Sequence, residues 1–171
     1  MHIYETAGWT GSESDSNWFE DDNQGRFIEI VKKYHDRIPM EVTGHEHLSG
    51  MRTHSLGDGT GEQYLNKVIF PSITASTPTN PGFGTFEYDT ETSKVSKLKF
   101  TYIDVDATIG YPKDTPVEEL PWMDVDFEAK FGLMDASGES IYNLAQRLLK
   151  DPEMAREFEF NRMGVDPSNE R

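Results

Sequence analysis

Two histidines follow a short apolar run in the stretch IPMEVTGHEH, residues 38–47. Residues 38–42 predict a short β-strand, which leads directly into a Gly-His-Glu-His turn. Two imidazoles separated by one residue in a tight turn can point at a shared site, and neutral imidazole is a common ligand of zinc and iron. Taken alone, the pattern leaves two interpretations open, a solvated polar loop or a metal site on His45 and His47.

Regular patterns flank this stretch on both sides. Residues 26–34 carry apolar side chains at helical spacing, which predicts an amphipathic helix ahead of the histidines. Residues 67–70 predict a short strand. Residues 85–88 and 95–105 alternate on either side of a polar turn, as is typical of an antiparallel hairpin.

The pattern becomes helical after the prolines at positions 112 and 116. Residues 127–131 and 140–149 have helical spacing of apolar side chains. Asp151 followed by Pro152 predicts an N-cap with proline at the first position of a last helix.

Composition limits the classes of protein to which the chain can belong. It has 171 residues, 31 acidic and 16 basic side chains and a formal net charge of −15. Such a balance excludes a general nucleic-acid binder and docking on anionic membranes, because no broad basic face can neutralise phosphates. No apolar run approaches the ~20 residues of a spanning helix, so we expect no membrane insertion.

Cysteine is absent, so disulfides, thiolate metal sites and a cysteine nucleophile are impossible. The amino terminus has neither a basic region nor an apolar core, and no Asn-x-Ser/Thr acceptor occurs. We therefore expect an intracellular or organellar protein rather than a secreted one.

Three motifs in a fixed order carry a family resemblance: the histidine turn at 44–47, the segment IFPSIT at 69–74, and NPGF at 80–83 followed by an aromatic strand. This order resembles the carboxyl-terminal half of the acid sphingomyelinase-like phosphodiesterases, within the calcineurin-like metallophosphoesterases. The resemblance covers nearly the whole chain and is weakest in the terminal helices.

The resemblance implies an α/β (α+β) fold, namely the carboxyl-terminal half of a β-sandwich flanked by helices. Residues 1–111 would form this half-domain, and residues 112–171 a short helical subdomain. It also implies a centre of two divalent metal ions, with zinc the expected metal. His45 and His47 would each supply a ligand to one ion, and His2 is the candidate for a further ligand.

The family's remaining ligands are an Asp-x-His turn, a second Asp and an Asn-His pair, and this sequence lacks them. Two-metal catalysis needs a nearly complete ligand set, so we expect no phosphodiester hydrolysis from the chain alone. Two interpretations follow. In the first, which the histidine pair favours, the chain is part of a hydrolase, either cut from a longer protein or paired with a separately encoded amino-terminal half. In the second, which the absence of cysteine favours, it is a non-catalytic structural subunit of a larger complex.

Half a sandwich would also leave one sheet face uncovered. Five aromatic side chains are expected to remain partly exposed, which a soluble monomer rarely tolerates. We therefore expect an obligate protein partner and a large apolar interface. The five side chains are Phe83, Phe86, Tyr88, Phe100 and Tyr102.

Overall fold

A computed structural model describes residues 21–44, 47–55, 63–74 and 79–165. Four α-helices and six β-strands lie within these ranges, which confirms a mixed α+β fold. None of these helices is both long and apolar enough to cross a membrane. In chain order the elements are α1 (Asp21–Tyr34), β1 (Glu41–Thr43), β2 (Gly50–Ser55), β3 (Gln63–Ile69), β4 (Gly82–Tyr88), β5 (Val95–Ile103), β6 (Trp122–Asp126), α2 (Phe127–Phe131), α3 (Gly138–Leu148) and α4 (Pro152–Met163).

The first sheet has the order β1-β3-β2. Strand β1 runs parallel to the central strand β3, and β2 runs antiparallel to it. Ile69, the last residue of β3, is the register partner of both Thr43 on one side and Gly50 on the other. The end of β1 and the start of β2 therefore flank the carboxyl end of β3.

The second sheet is fully antiparallel, with the order β4-β5-β6. One face of β5 carries Leu98, Phe100 and Tyr102 into the main core, where helices α2 and α3 contribute further apolar side chains. The rings of Phe100 and Phe127 approach to 4.9 Å between centroids. The sheet face that we expected to be open is thus covered by the chain's own helices.

The prediction that all five aromatic side chains are partly exposed is wrong for two of them. Phe100 and Tyr102 are buried, at 0% and 1% exposure, because the helices pack on their face of the sheet. Phe83, Phe86 and Tyr88 remain 45%, 40% and 49% exposed, because they lie on the edge strand β4.

Strand β6 lies beyond the boundary predicted at residue 111, yet it pairs with β5 along five residues. The main core likewise contains residues from both sides, including Val68 and Ile141. The division into two domains stays a prediction, and the second region contains a strand as well as helices.

Candidate functional site

A six-residue connection, residues 44–49, carries the two histidines of the sequence motif and is called the His loop below. It leaves β1 at Thr43 and enters β2 at Gly50, on opposite sides of Ile69. Its two ends are separated by two strand spacings, about 10 Å. The described ends of the His loop thus lie on either side of the carboxyl end of β3, at the edge at which ligands bind in open parallel sheets.

Only one of the three histidines predicted as metal ligands lies among the described residues. His47 is half-buried and has a φ of 58°, a left-handed conformation that histidine adopts more readily than most residues. His45 and His2 lie outside the described residues. Within the described ranges, no three His, Asp or Glu side chains are grouped so that they could hold a metal ion. The described residues therefore do not by themselves form a metal site.

The segment that follows β3 lies at the same edge of the sheet. The amide of Phe70 donates to the carbonyl of Thr43 over 2.9 Å, which extends the pairing one step beyond the strands. The hydroxyl of Ser72 accepts a hydrogen bond from the Thr74 amide at 3.0 Å. This segment and the His loop thus leave the sheet next to each other.

The far end of the His loop is anchored by Ser49, which is fully buried. Its hydroxyl donates to the carbonyl of Arg162 over 2.6 Å and lies 2.8 Å from the hydroxyl of Tyr102. The Arg162 guanidinium donates back to the carbonyl of Ser49 over 3.3 Å. Burial raises the pKa of Tyr102 well above its ordinary value, so its hydroxyl keeps its proton and can donate.

Asn80, the first residue of the NPGF motif, joins three parts of the chain. Its side-chain amide donates to the carbonyl of Gly164 over 2.7 Å, and its side-chain oxygen accepts from the amide of Val105 at 3.2 Å. Its own amide donates to the carbonyl of Met163 over 3.0 Å. In this structure the motif holds the end of α4 against the ends of β4 and β5.

A row of charged residues crosses the first sheet two positions before Thr43, the last residue of β1. Lys67 is the register partner of both Glu41 and Arg52. The Lys67 ammonium is fully buried and lies 3.7 Å from the Glu41 carboxylate. Thr43 lies on the same face of the sheet, since side chains alternate along a strand. Its hydroxyl is buried and has no hydrogen-bond partner in the described part of the chain.

Sequence reasoning did not find this anchor or the charged row. Ser49, Tyr102 and Arg162 are too far apart in the chain for any local pattern to connect them. Lys67 is the first residue of the segment 67–70, which its apolar pattern predicts to be a strand. A lysine beside such a run was the one available signal, because a buried lysine needs a partner.

Comparison with known proteins identifies a distant relative. The chain is 26% identical over 143 residues to the human acid sphingomyelinase-like phosphodiesterase 3b. The matched region is 78% of this chain and 30% of that protein, so the chain spans less than a third of the relative's length. No protein-family model matches the chain. This likeness supports a distant relation to the family of sphingomyelin phosphodiesterase-like hydrolases.

Proposed function

We propose that this chain is the carboxyl-terminal part of a metal-dependent phosphoester hydrolase of the acid sphingomyelinase-like type. The position of the His loop carries the proposal, because it presents histidine at the carboxyl end of a parallel strand pair. The distant likeness to a phosphodiesterase supports the same family. Phosphodiesters and phosphomonoesters are the substrate classes we propose.

In this proposal His45 and His47, with His2 as a further candidate, contribute to a site for divalent metal, with zinc as the metal of choice. Bound metal ions would supply an activated water as nucleophile and neutralise charge on the phosphoryl oxygens. The described residues lack a complete ligand set. We therefore propose that a protein partner, the amino-terminal half of the fold, supplies the remaining ligands.

The chain's own contribution is to hold the His loop in place. Ser49 fixes the end of the loop to buried groups of β5 and α4. A ligand held on such a support keeps its orientation when metal binds, which is the requirement for a preorganised site.

The experiment compares the isolated chain with the complex in which it occurs in its source cells. We expect the isolated chain to hydrolyse a chromogenic phosphodiester no faster than a metal-only control. The affinity-purified complex should hydrolyse it, and His47→Ala should reduce the rate at least about 10-fold. His35→Ala is the matched control, since His35 directly follows α1 and its ring lies 2.7 Å from the Lys32 carbonyl oxygen.

Two results would contradict the proposal. One is turnover by the isolated chain that His45→Ala abolishes, because the chain would then hold a complete site. The other is a purified complex without activity, or with activity that His47→Ala leaves unchanged. This second result would favour the non-catalytic structural subunit.

A further inference from the structure

Strand β4 forms one edge of the second sheet and, among the described residues, pairs with β5 alone. Its second half, residues 84–88, is mostly exposed. Phe86 and Tyr88 project from it at 40% and 49% exposure. A strand edge that lacks a neighbouring strand and carries exposed aromatic side chains is a template for pairing with another strand.

The hydrogen bonds at the two ends of β4 show which residues face β5. The amide of Ile103 donates to the carbonyl of Pro81 over 3.0 Å, and the amide of Asp89 donates to the carbonyl of Lys94 over 2.9 Å. Backbone groups of successive residues point to opposite sides of a strand. The odd-numbered residues of β4 therefore face β5, and the even-numbered residues face the open edge.

The irregularity in this pairing does not change the alternation along β4. Between two register pairs, Thr85 with Lys99 and Glu87 with Ser96, β4 advances by two residues and β5 by three. The extra residue thus belongs to β5.

Three residues, Gly84, Phe86 and Tyr88, consequently present their amide and carbonyl groups at the open edge. Gly82 points the same way, but its amide already donates to the carbonyl of Ser72 over 2.7 Å. The available edge therefore begins at Gly84.

We propose that this edge pairs antiparallel with the same edge of a second copy of the chain, around a two-fold axis at Phe86. Gly84 of each copy then faces Tyr88 of the other, and the two Phe86 residues face each other. Each of these three pairs exchanges two backbone hydrogen bonds, so about six bonds join the copies. The result is one continuous sheet of six strands, and this pairing is independent of the metal site.

A like-charge contact and an occupied amide exclude the two neighbouring registers. An axis at Glu87 would place two carboxylates directly opposite each other, which destabilises a strand pair. An axis at Thr85 would need the amide of Gly82, which is already used. An axis at Phe86 places Glu87 opposite Thr85, so the charged residue of one strand faces a neutral one.

The side chains on this face also suit self-pairing. Tyr88 of one copy lies across from Gly84 of the other, beside the Phe70 ring that packs over this glycine. The ring of Phe86 already contacts Phe70, with centroids 6.1 Å apart, and Phe70 contacts the buried Phe100 at 5.6 Å. Contact between the two Phe86 rings would extend the aromatic core of each copy to its partner, as an isologous dimer interface requires.

Sedimentation of the full chain over a range of concentrations tests the proposal. We expect a reversible dimer that Phe86→Lys abolishes, since two ammonium groups would face each other at the axis. Phe86→Glu should abolish it equally, and an equimolar mixture of the two variants should restore dimers. Phe83→Lys is the matched control, because Phe83 is equally exposed on β4 but lies before the paired segment.

Hydrogen exchange keeps the test independent of how well a variant folds. Amides of Gly84, Phe86 and Tyr88 should gain protection as the wild-type concentration rises, while other exposed amides do not. A chain that stays monomeric, a dimer that survives Phe86→Lys, or a mixture that fails to restore dimers would overturn the proposal.

Discussion

The hydroxyl of Tyr102 lies 2.8 Å from the hydroxyl of Ser49, although 53 positions separate the two residues in the chain. Both side chains are buried, and both hydroxyls lie within hydrogen-bond distance of the Arg162 carbonyl, at 2.6 Å for Ser49 and 3.2 Å for Tyr102. The end of the His loop, the carboxyl end of β5 and the last turn of α4 therefore meet at one point.

Removing either hydroxyl should weaken this junction. We expect Tyr102→Phe and Ser49→Ala each to lower the free energy of unfolding by about 1 kcal/mol, the usual net contribution of a hydrogen bond. The double variant should lose less than the sum, because the two residues share a bond. Urea unfolding measures the effects, with the exposed Tyr111→Phe as control. Strictly additive losses would contradict the shared bond.

A glycine beside the Tyr102 ring should be sensitive to a single methyl group. Gly164 has a φ of 69°, and a Cβ atom there would overlap that ring. Gly110 also has a positive φ, of 98°, but open space surrounds it. Gly164→Ala should therefore destabilise the fold by about 1–3 kcal/mol more than Gly110→Ala, the cost of overpacking. Equal losses in thermal or urea unfolding would mean that backbone conformation alone requires Gly164.

Burial, rather than the distance between the charges, should decide how much each lysine–carboxylate pair contributes to the free energy of unfolding. Lys67 is fully buried 3.7 Å from Glu41, whereas Lys97 is 64% exposed 2.9 Å from Glu87. Lys67→Met should cost about 3–5 kcal/mol, because it leaves a largely buried carboxylate without its ammonium. Lys97→Met should leave stability near that of the wild type, since water screens an exposed pair. The reverse order in urea unfolding would refute this argument.

Acid should remove a contribution that Asp124 makes to stability. The Thr101 hydroxyl, 2.7 Å away, and the Lys99 ammonium, at 3.0 Å, hold the pKa of the Asp124 carboxyl below its ordinary value of 3.8. Because the pKa is lower in the folded state, the contribution is complete above pH about 4 and is lost as pH falls through the folded-state value.

We therefore expect Asp124→Asn to lower the melting temperature at pH 7 and to have a progressively smaller effect as the pH falls below 3.8. Asp114→Asn, in the connection between β5 and β6, is the control for the loss of one exposed carboxylate. An Asp124→Asn effect that is constant across this pH range would contradict the assignment.

Zinc binding by the isolated chain should be weak. His45, His47 and His2 offer at most three ligands, which the family resemblance divides between two ions. Calorimetric titration should give micromolar affinity at best, and His47→Ala should weaken it further. Stoichiometric zinc that survives dialysis of the isolated chain would be incompatible with an incomplete site.

Local patterns predicted those elements that local physics determines. The helix predicted at 127–131 forms, and Asp151 caps α4 through bonds to the amides of Glu153 and Met154 with Pro152 at its start. The turn at 89–94 also forms, because the Asp89 carboxylate accepts from the amides of Glu91 and Thr92. In each case a few neighbouring residues contain all of the interactions.

Elements that depend on distant partners were missed or misplaced. Strand β2 has the sequence GMRTHS, which lacks an apolar run and pairs because β3 lies beside it. The strand predicted at 38–42 begins at Glu41, after a 3₁₀ turn at His35–Arg37. Burial of Phe100 depends on helices that follow it in the chain. The motif located the candidate site, but its support at Ser49 required the folded structure.

The hydrogen bond from Ser49 to Arg162 can form only late in the synthesis of the chain. It joins residues 113 positions apart, so its second partner does not exist until the last helix is being made. At about 5–20 residues per second, the ribosome needs roughly 6–23 s to cover that interval. The histidine turn therefore leaves the ribosome long before it can be fixed, and during that time a chaperone or a partner chain could reach it first.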